Sequence, residues 1–306
     1  MNLLKYYLYL TLAMILAGSS VVTGKILIEN VPIFLSQTLS TGIAFLFLVP
    51  IAWFFEGNPF KFRPTKLDAL YLFFQAFTGM FLFRIFLLEG LKHTSALESG
   101  IITSASPAIL VLLSYIILKE VIHRNVKLGV LLCVIGLILI TLKQGVTSPT
   151  SSMELWGNFL VLMAVFCEAL FSVLRKKQSS TSLPMTSTAL IVLITMLLFL
   201  PLGLRDLDQF PLTSITRKSL LAIFYYGAFC TAIAYVCWFR GIATIKASTA
   251  AGFTALMPIT SILMSVVFLG EQLQGRHLLG TAIILGGIYL ITRPQAESLV
   301  VVINEE

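Results

Sequence analysis

Ten apolar stretches follow one another along the chain, at residues 6–28, 32–55, 67–88, 96–118, 126–142, 154–174, 184–204, 218–239, 247–269 and 276–292. A helix needs about 20 residues to cross the hydrocarbon core of a bilayer, and these stretches are of that order. Only short polar breaks separate them, among them Glu56 to Pro59, Lys92 to Thr94, Lys119-Glu120, Gly145 to Ser152, Arg175 to Lys177 and Arg205-Asp206. No connection is long enough to form a second domain. The composition points the same way: 58% of residues are hydrophobic, 11% are charged, and the mean hydropathy is +0.95. A soluble domain carries about 25% charged residues, so polar side chains are too few here to cover a water-soluble globule. A soluble enzyme, a disordered chain and a disulfide-rich secreted module are excluded on that ground. The expectation is an all-α membrane protein with ten transmembrane helices.

The net charge of +7 would suggest nucleic acid in a soluble protein, but no basic stretch is long or aromatic-interleaved enough to carry that. In a membrane protein, basic residues gather in cytoplasmic loops. The loops on the side of both termini hold Lys5, Lys61, Arg63, Lys66, Lys119, Arg124, Lys127, Arg175, Lys176, Lys177, Arg240, Lys246 and Arg293. That is about twice the number on the other side, where Lys25, Lys92, Lys143, Arg205, Arg217, Lys218 and Arg276 stand. The bias places both termini in the cytoplasm, which requires an even number of spans. The first segment has the Lys5 and apolar run of a signal peptide, but the run continues to Ile28, and it is expected to stay in the mature protein. The histidines His93, His123 and His277 and the cysteines Cys133, Cys167, Cys230 and Cys237 show no ligand spacing and no C-x-x-C pair, so neither a metal site nor a cofactor is expected.

The strongest internal signal is a repeat. Shifting the chain by 151 residues superposes Lys25 on Lys176, Pro50 on Pro201, Gly90 on Gly241, Ala96 on Ala247, Pro107 on Pro258, Glu120 on Glu271, Gly129 on Gly280, Gly136 on Gly287 and Thr141 on Thr292. Each half then holds five spans, residues 1–145 and 152–295, followed by a short tail at 296–306. Five is odd, so the second half enters the membrane from the opposite side. Such inverted repeats underlie alternating access in many secondary transporters.

The matched stretches are also recognisable. In the first half they run from Gly90 to Ala96, through Pro107 to Glu120, then Gly129 and Gly136; in the second, from Gly241 to Ala247, through Pro258 to Glu271, then Gly280 and Gly287. This pattern resembles the EamA repeat of the drug/metabolite transporter superfamily, over nearly the whole chain. The resemblance implies a central cavity between helices 1–4 and 6–9, with helices 5 and 10 at the periphery. It also implies export, or sometimes exchange or uptake, of small metabolites such as amino acids, driven by a gradient. In keeping with that, the sequence has no phosphate-binding G-x-x-x-x-G-K-[ST] loop.

The repeated residues have physical readings of their own. Pro107 and Pro258 fall mid-span, where proline removes a backbone bond and bends the helix, so they are hinge candidates. Glu120 and Glu271 stand at helix ends, as caps or ion-pair partners. The glycine pairs, seven apart on one helix face, allow close helix contact.

Ionisable groups inside spans are functional candidates by default. Glu168, near the middle of helix 6, suits a group that gains and loses a proton or binds a cationic group. Arg84, in helix 3, is suited to holding a substrate carboxylate; the bland alternative is an ion pair with Glu98, one turn into helix 4. Glu89 is expected to reach water. Gln37, Thr38 and Thr41 on helix 2, Gln75 and Thr78 on helix 3, Ser104 on helix 4, and Tyr225, Tyr226, Tyr235 and Trp238 on helix 8 are further candidates to line a wet cavity. Interhelical hydrogen bonds and interfacial aromatic belts account for many such residues.

The function expected is secondary transport of a small polar metabolite, an amino acid or related compound, out of the cell by alternating access, coupled to protons or another gradient. The alternative is import or exchange of a nutrient or cofactor-like metabolite. A membrane enzyme is not expected: H-E-x-x-H, G-x-S-x-G and a Ser/His constellation are all absent. The partners expected are the substrate and the lipid bilayer, with a homodimer through helices 5 and 10 left open. Ten short-looped spans suit the cytoplasmic membrane of a bacterium.

Overall fold

A computed structural model of the protein describes residues 3–119, 122–141, 152–177, 183–245, 253–254 and 256–292. Glu120, the loop from Gly145 to Ser151, the start of the ninth apolar stretch and the 296–306 tail lie outside the described residues. The elements are helical, and no strand occurs among the described residues. In chain order they are α1 (Leu4–Ile28), α2 (Ile33–Glu56), α3 (Lys66–His93), α4 (Ala96–Leu118), α5 (Arg124–Thr141), α6 (Ser152–Lys177), α7 (Pro184–Gln209), α8 (Arg217–Ile242), α9 (Leu256–Leu269) and α10 (Gly275–Thr292). Eight of them are long and apolar enough to cross a membrane; α9 is a shorter apolar helix, and α5 stands outside that set.

Local chemistry sets the ends. Thr65, Ser95 and Thr216 cap α3, α4 and α8 by accepting the backbone N–H of Asp68, Glu98 and Ser219, which satisfies donors that have no partner inside the helix. Gly57 (φ 85°) and Gly270 (φ 66°) follow α2 and α9 in a conformation costly to other residues. At the end of α7, Asp206 Oδ2 accepts the N–H of Leu35 at the start of α2. The reverse cap is made by Glu56, at the end of α2, whose two carboxylate oxygens accept the N–H groups of Met185 and Thr186 at 2.8 Å each. Loss of an anionic cap costs about 1 kcal/mol, so Glu56→Ala should lower thermal stability by that order, readable by a melting curve in detergent.

Two helices change pitch. Residues 77–82 of α3 and 226–233 of α8 form π-helical turns, and under the 151-residue shift the first falls on 228–233, within the second. In α8 the Thr231 hydroxyl donates to the carbonyl of Tyr226. A π turn rotates everything beyond it relative to a plain α-helix, and such turns cluster at functional sites. In α4, the turn at Ser104-Ala105 just before Pro107 divides the helix into Ala96–Thr103 and Ser106–Leu118, so the hinge candidate Pro107 stands beside a real break.

The repeats are intertwined. α1 packs on α8 and α9, while α6 packs on α3 and α4; α2 packs on α7 and α5 on α10. The glycines show why. A Cβ on Gly90 would meet Val161 of α6, and one on Gly241 would meet Leu10 of α1; both partners are again 151 residues apart. On the α5–α10 face the contact is reciprocal: a Cβ on Gly129 would lie 2.6 Å from the Gly287 carbonyl oxygen, and one on Gly136 would lie 2.9 Å from that of Gly280. The expected packing role of these glycines is met, with the two helices antiparallel. Gly129→Leu would drive a side chain into backbone that has nowhere to move. It should cost about 2–3 kcal/mol, seen as a lower melting temperature and poorer yield of folded protein.

The core is split among these packed faces. Leu87, Leu88, Leu91, Val161 and Val165 join α3 to α6; Leu48, Leu72, Ile191 and Val192 join α2, α3 and α7; Ile101, Cys133, Ile140, Ile284 and Ile288 join α4, α5 and α10. Large apolar side chains face outward, with Phe54, Val267, Leu46 and Ile116 the most exposed, as expected for a surface solvated by lipid tails.

Contacts also define two ends of the bundle. Leu10, Trp238, Ile245, Tyr7 and Phe253 cluster at the end where α1 begins and α8 finishes, here called proximal. At the opposite, distal end, Lys25 Nζ donates to the carbonyls of Leu91 and Thr94 at the finish of α3. There too Glu271 accepts the N–H groups of Ala96 and Leu97 at 2.8 and 2.7 Å, the capping role expected of it.

Candidate functional site

Arg84 lies just past the π turn of α3 and is 5% exposed. The turn directs it toward α2 and α8. Its Nη1 donates to Gln37 Oε1 at 2.7 Å and reaches Ser40 Oγ at 3.4 Å; its Nη2 donates to Thr231 Oγ1 at 2.7 Å. The guanidinium sits 5.0 Å from the centre of the Tyr226 ring, a cation–π contact. All these partners are neutral, and no carboxylate pairs with Arg84 among the described residues. The ion pair with Glu98 considered from sequence is therefore not made. Arg84 points to α2 and α8, while Glu98, in the first turn of α4, points to α6 and α10.

Glu168 stands on α6 with one carboxylate oxygen buried and unpartnered among the described residues. The break in α4 brings Ser106 within hydrogen-bonding reach of it. Tyr235 of α8 occupies in the second repeat the position Arg84 holds in the first. Tyr235 is within electrostatic reach of Arg84, Glu168 and Arg175, and its ring stacks on Phe239, which in turn lies under the Arg175 guanidinium. The wall continues on α1, where Ser19 Oγ is 3.0 Å from the Tyr225 hydroxyl and 3.4 Å from Cys230 Sγ. A cation, an acid and phenols from α3, α6 and α8 thus meet in the middle of an apolar bundle.

The structure therefore gathers Arg84, Gln37 and Tyr226 directly, with Tyr235 within electrostatic reach of Arg84 and Glu168 and Tyr225 on the adjoining α1 wall. It takes other candidates elsewhere. Trp238 packs in the proximal cluster. Thr38 fills the contact with Gly203. Thr41, Thr78 and Ser104 each donate to a backbone carbonyl of their own helix. Gln75 is buried on α3 ahead of the π turn, and Pro258 is buried in α9. Glu89 pairs with Lys92 at the surface. Ser40 and Thr231 are not legible from the sequence, because a hydroxyl in a span gives no signal until a charge is seen to lean on it.

Glu98 anchors a second polar group, at the distal end. Its Oε1 accepts from Arg276 Nη2 at 2.8 Å and faces His277 Nε2 at 3.6 Å; its Oε2 accepts from Asn158 Nδ2 at 3.3 Å. The Thr94 hydroxyl donates to Asn158 Oδ1 at 2.6 Å. No cluster of His, Cys, Asp and Glu that would hold a metal ion occurs among the described residues.

The sequence signature of the EamA-like transporter family matches residues 4–142 and again 155–293. The chain belongs to this family. Among its EamA-family relatives, an uncharacterized transporter of Bacillus subtilis, YetK, is 35% identical over 93% of this chain and 86% of its own length. An uncharacterized transporter of Archaeoglobus fulgidus is 26% identical over 95% of this chain and 98% of its own. A solved crystal structure superposes with a TM-score of 0.64 at 19% identity, covering 97% of this chain and 98% of that one, and so shares the fold. The EamA signature and the apolar helices make this a multi-pass membrane transporter.

Proposed function

We propose that the protein is a secondary transporter that exports a small zwitterionic metabolite of the amino-acid class. The observation that carries this reading is the buried Arg84 guanidinium, which has only neutral partners. A cation inside a bilayer is costly unless an anion meets it, and a planar guanidinium binds carboxylate in bidentate fashion. Glu168, within electrostatic reach of Tyr235, offers the complementary charge for an ammonium group, or for the proton whose movement drives the cycle. One site with both signs of charge fits a zwitterion better than a simple anion.

In this reading the chain crosses the membrane ten times as two inverted five-helix repeats, the boundary falling between residues 145 and 152. Both termini are cytoplasmic, from the charge bias of the loops, so the proximal end is the inner one. The swapped contacts of α1 and α6 support a cycle in which the repeats exchange roles, with Pro107 and Pro258 as bending points. Export is the direction proposed, with import or exchange of a nutrient or cofactor-like metabolite the alternative, and the protein acts as a carrier rather than an enzyme.

The test is to measure metabolites in medium and cytosol by mass spectrometry, with and without overexpression of the protein. A compound that accumulates outside only with the intact protein supports export and names the substrate. A compound that rises inside instead makes the protein an importer, and unchanged pools across nutrient conditions count against transport of this class.

A further inference from the structure

The distal polar cluster ties both repeats together at a single carboxylate. Glu98 is 3% exposed and is held from α10 by Arg276 and His277, and from α6 by Asn158. Arg276 extends the tie to α5 by donating its Nη1 to the carbonyl of Ile140, and its Nε is occupied by Gln274 Oε1 at 2.7 Å. His277 Nδ1 accepts the backbone N–H of Gln274 at 3.1 Å, so its ring proton sits on Nε2 and is aimed at Glu98. The same end carries the Lys25 bonds to the finish of α3 and the Glu271 bonds to the start of α4. Closure at this end therefore converges on the first half of α4.

That half, Ala96–Thr103, is a short rod. It is capped by Ser95 at one end and detached from the rest of α4 by the turn at Ser104-Ala105 at the other. A buried ion pair contributes little net stability, since the desolvation of both charges offsets their attraction. Its physical use is as a contact with two discrete states, made or broken. Ser106, beyond the turn, faces Glu168, so movement of the rod about this break is felt at the central site.

We propose that the Glu98–Arg276 ion pair is the distal gate of the carrier: when made it shuts the central site from the distal side, and when broken it lets the Ala96–Thr103 rod swing aside. This rests on the transport reading, and it takes Glu98 from the substrate to the gate. Asn158 and His277 position the Glu98 carboxylate for Arg276.

A native thiol reports on the gate. Cys230 lies in the central site beside Ser19 and within electrostatic reach of Arg84, whereas Cys133 is buried between α5 and α10. The probe is the membrane-impermeant anion 2-sulfonatoethyl methanethiosulfonate, applied separately to right-side-out and inside-out vesicles, with each cysteine read by peptide mass spectrometry. In Glu98→Gln and in Arg276→Gln, labelling of Cys230 from right-side-out vesicles should rise at least 10-fold over the unmodified protein. The rise should be absent from inside-out vesicles and from Cys133, and the double variant should add little, because either change alone breaks the same contact. Unchanged Cys230 labelling in both variants overturns the gate, and so does a rise that spreads to Cys133. Labelling reads access and not flux, so it would show whether the gate opens even in a chain that carried no substrate. An unmodified protein that gates as described but exports no metabolite counts against the transport reading alone.

Discussion

Arg84→Ala should reduce export of the substrate by about 100-fold or more, the scale expected when a buried charge partner is removed from a recognition site. The physical reason is the missing counter-charge. Gln37, Ser40 and Thr231 fix the guanidinium in place through neutral bonds, and Tyr226 supports one face of it. None of these neutralises it, and in the proposed function the arriving carboxylate does. Arg84→Lys should retain little of the activity, because an ammonium lacks the planar fork. Efflux from preloaded cells, measured beside membrane yield and melting temperature, separates recognition from folding. If Arg84 only braced α2 against α8, the loss of efflux would track the loss of folded protein. Near-normal efflux in a well-folded Arg84→Ala protein would remove Arg84 from the site.

Glu168→Gln should abolish uphill export while leaving downhill exchange of substrate within a few-fold of normal. The substitution keeps the shape and the hydrogen-bonding reach toward Ser106 and removes only the ability to carry charge and bind a proton. Reconstituted vesicles with an imposed pH gradient provide the measurement. The unmodified protein should respond to a gradient of one pH unit by about 10-fold, since one coupled proton then contributes about 1.4 kcal/mol, and the variant should not respond. A variant that still follows the gradient would make Glu168 a structural acid. A variant that loses exchange as well would instead place Glu168 in binding of the substrate's ammonium group. The two predictions have separate readouts, recognition for Arg84 and coupling for Glu168, on different helices.

Much of this architecture can be read from the order of residues. Apolar length alone demands membrane helices, because a bilayer leaves the backbone no other partner than its own helix. The helix bounds agree with the apolar runs to within a few residues along most of the chain, though α3 and α7 run five residues further. The constant spacing of Gly90, Pro107 and Glu271 with their mates declares a repeat. The glycines at 129, 136, 280 and 287 are legible as packing residues, and the structure shows them facing one another across α5 and α10.

The candidate site is only half legible. An ionisable residue in an apolar run is conspicuous by its cost, so Arg84, Glu98 and Glu168 stand out. Their partners do not, because nearness in depth and chain order suggests Arg84 with Glu98. The π turn at 77–82 has no marker in a single sequence, yet it sets which way Arg84 points. His277 and Arg276 read as loop residues at the edge of the last span, and only the packing of α10 on α4 and α5 shows them turned inward on Glu98.

The sequence by itself determined the class of fold, the doubling of the chain and the short list of buried charges, because hydropathy and repeat spacing are properties of the chain in order. Only the tertiary structure decided which charge meets which partner, because that depends on helical phase and on α1 and α6 crossing into the opposite repeat.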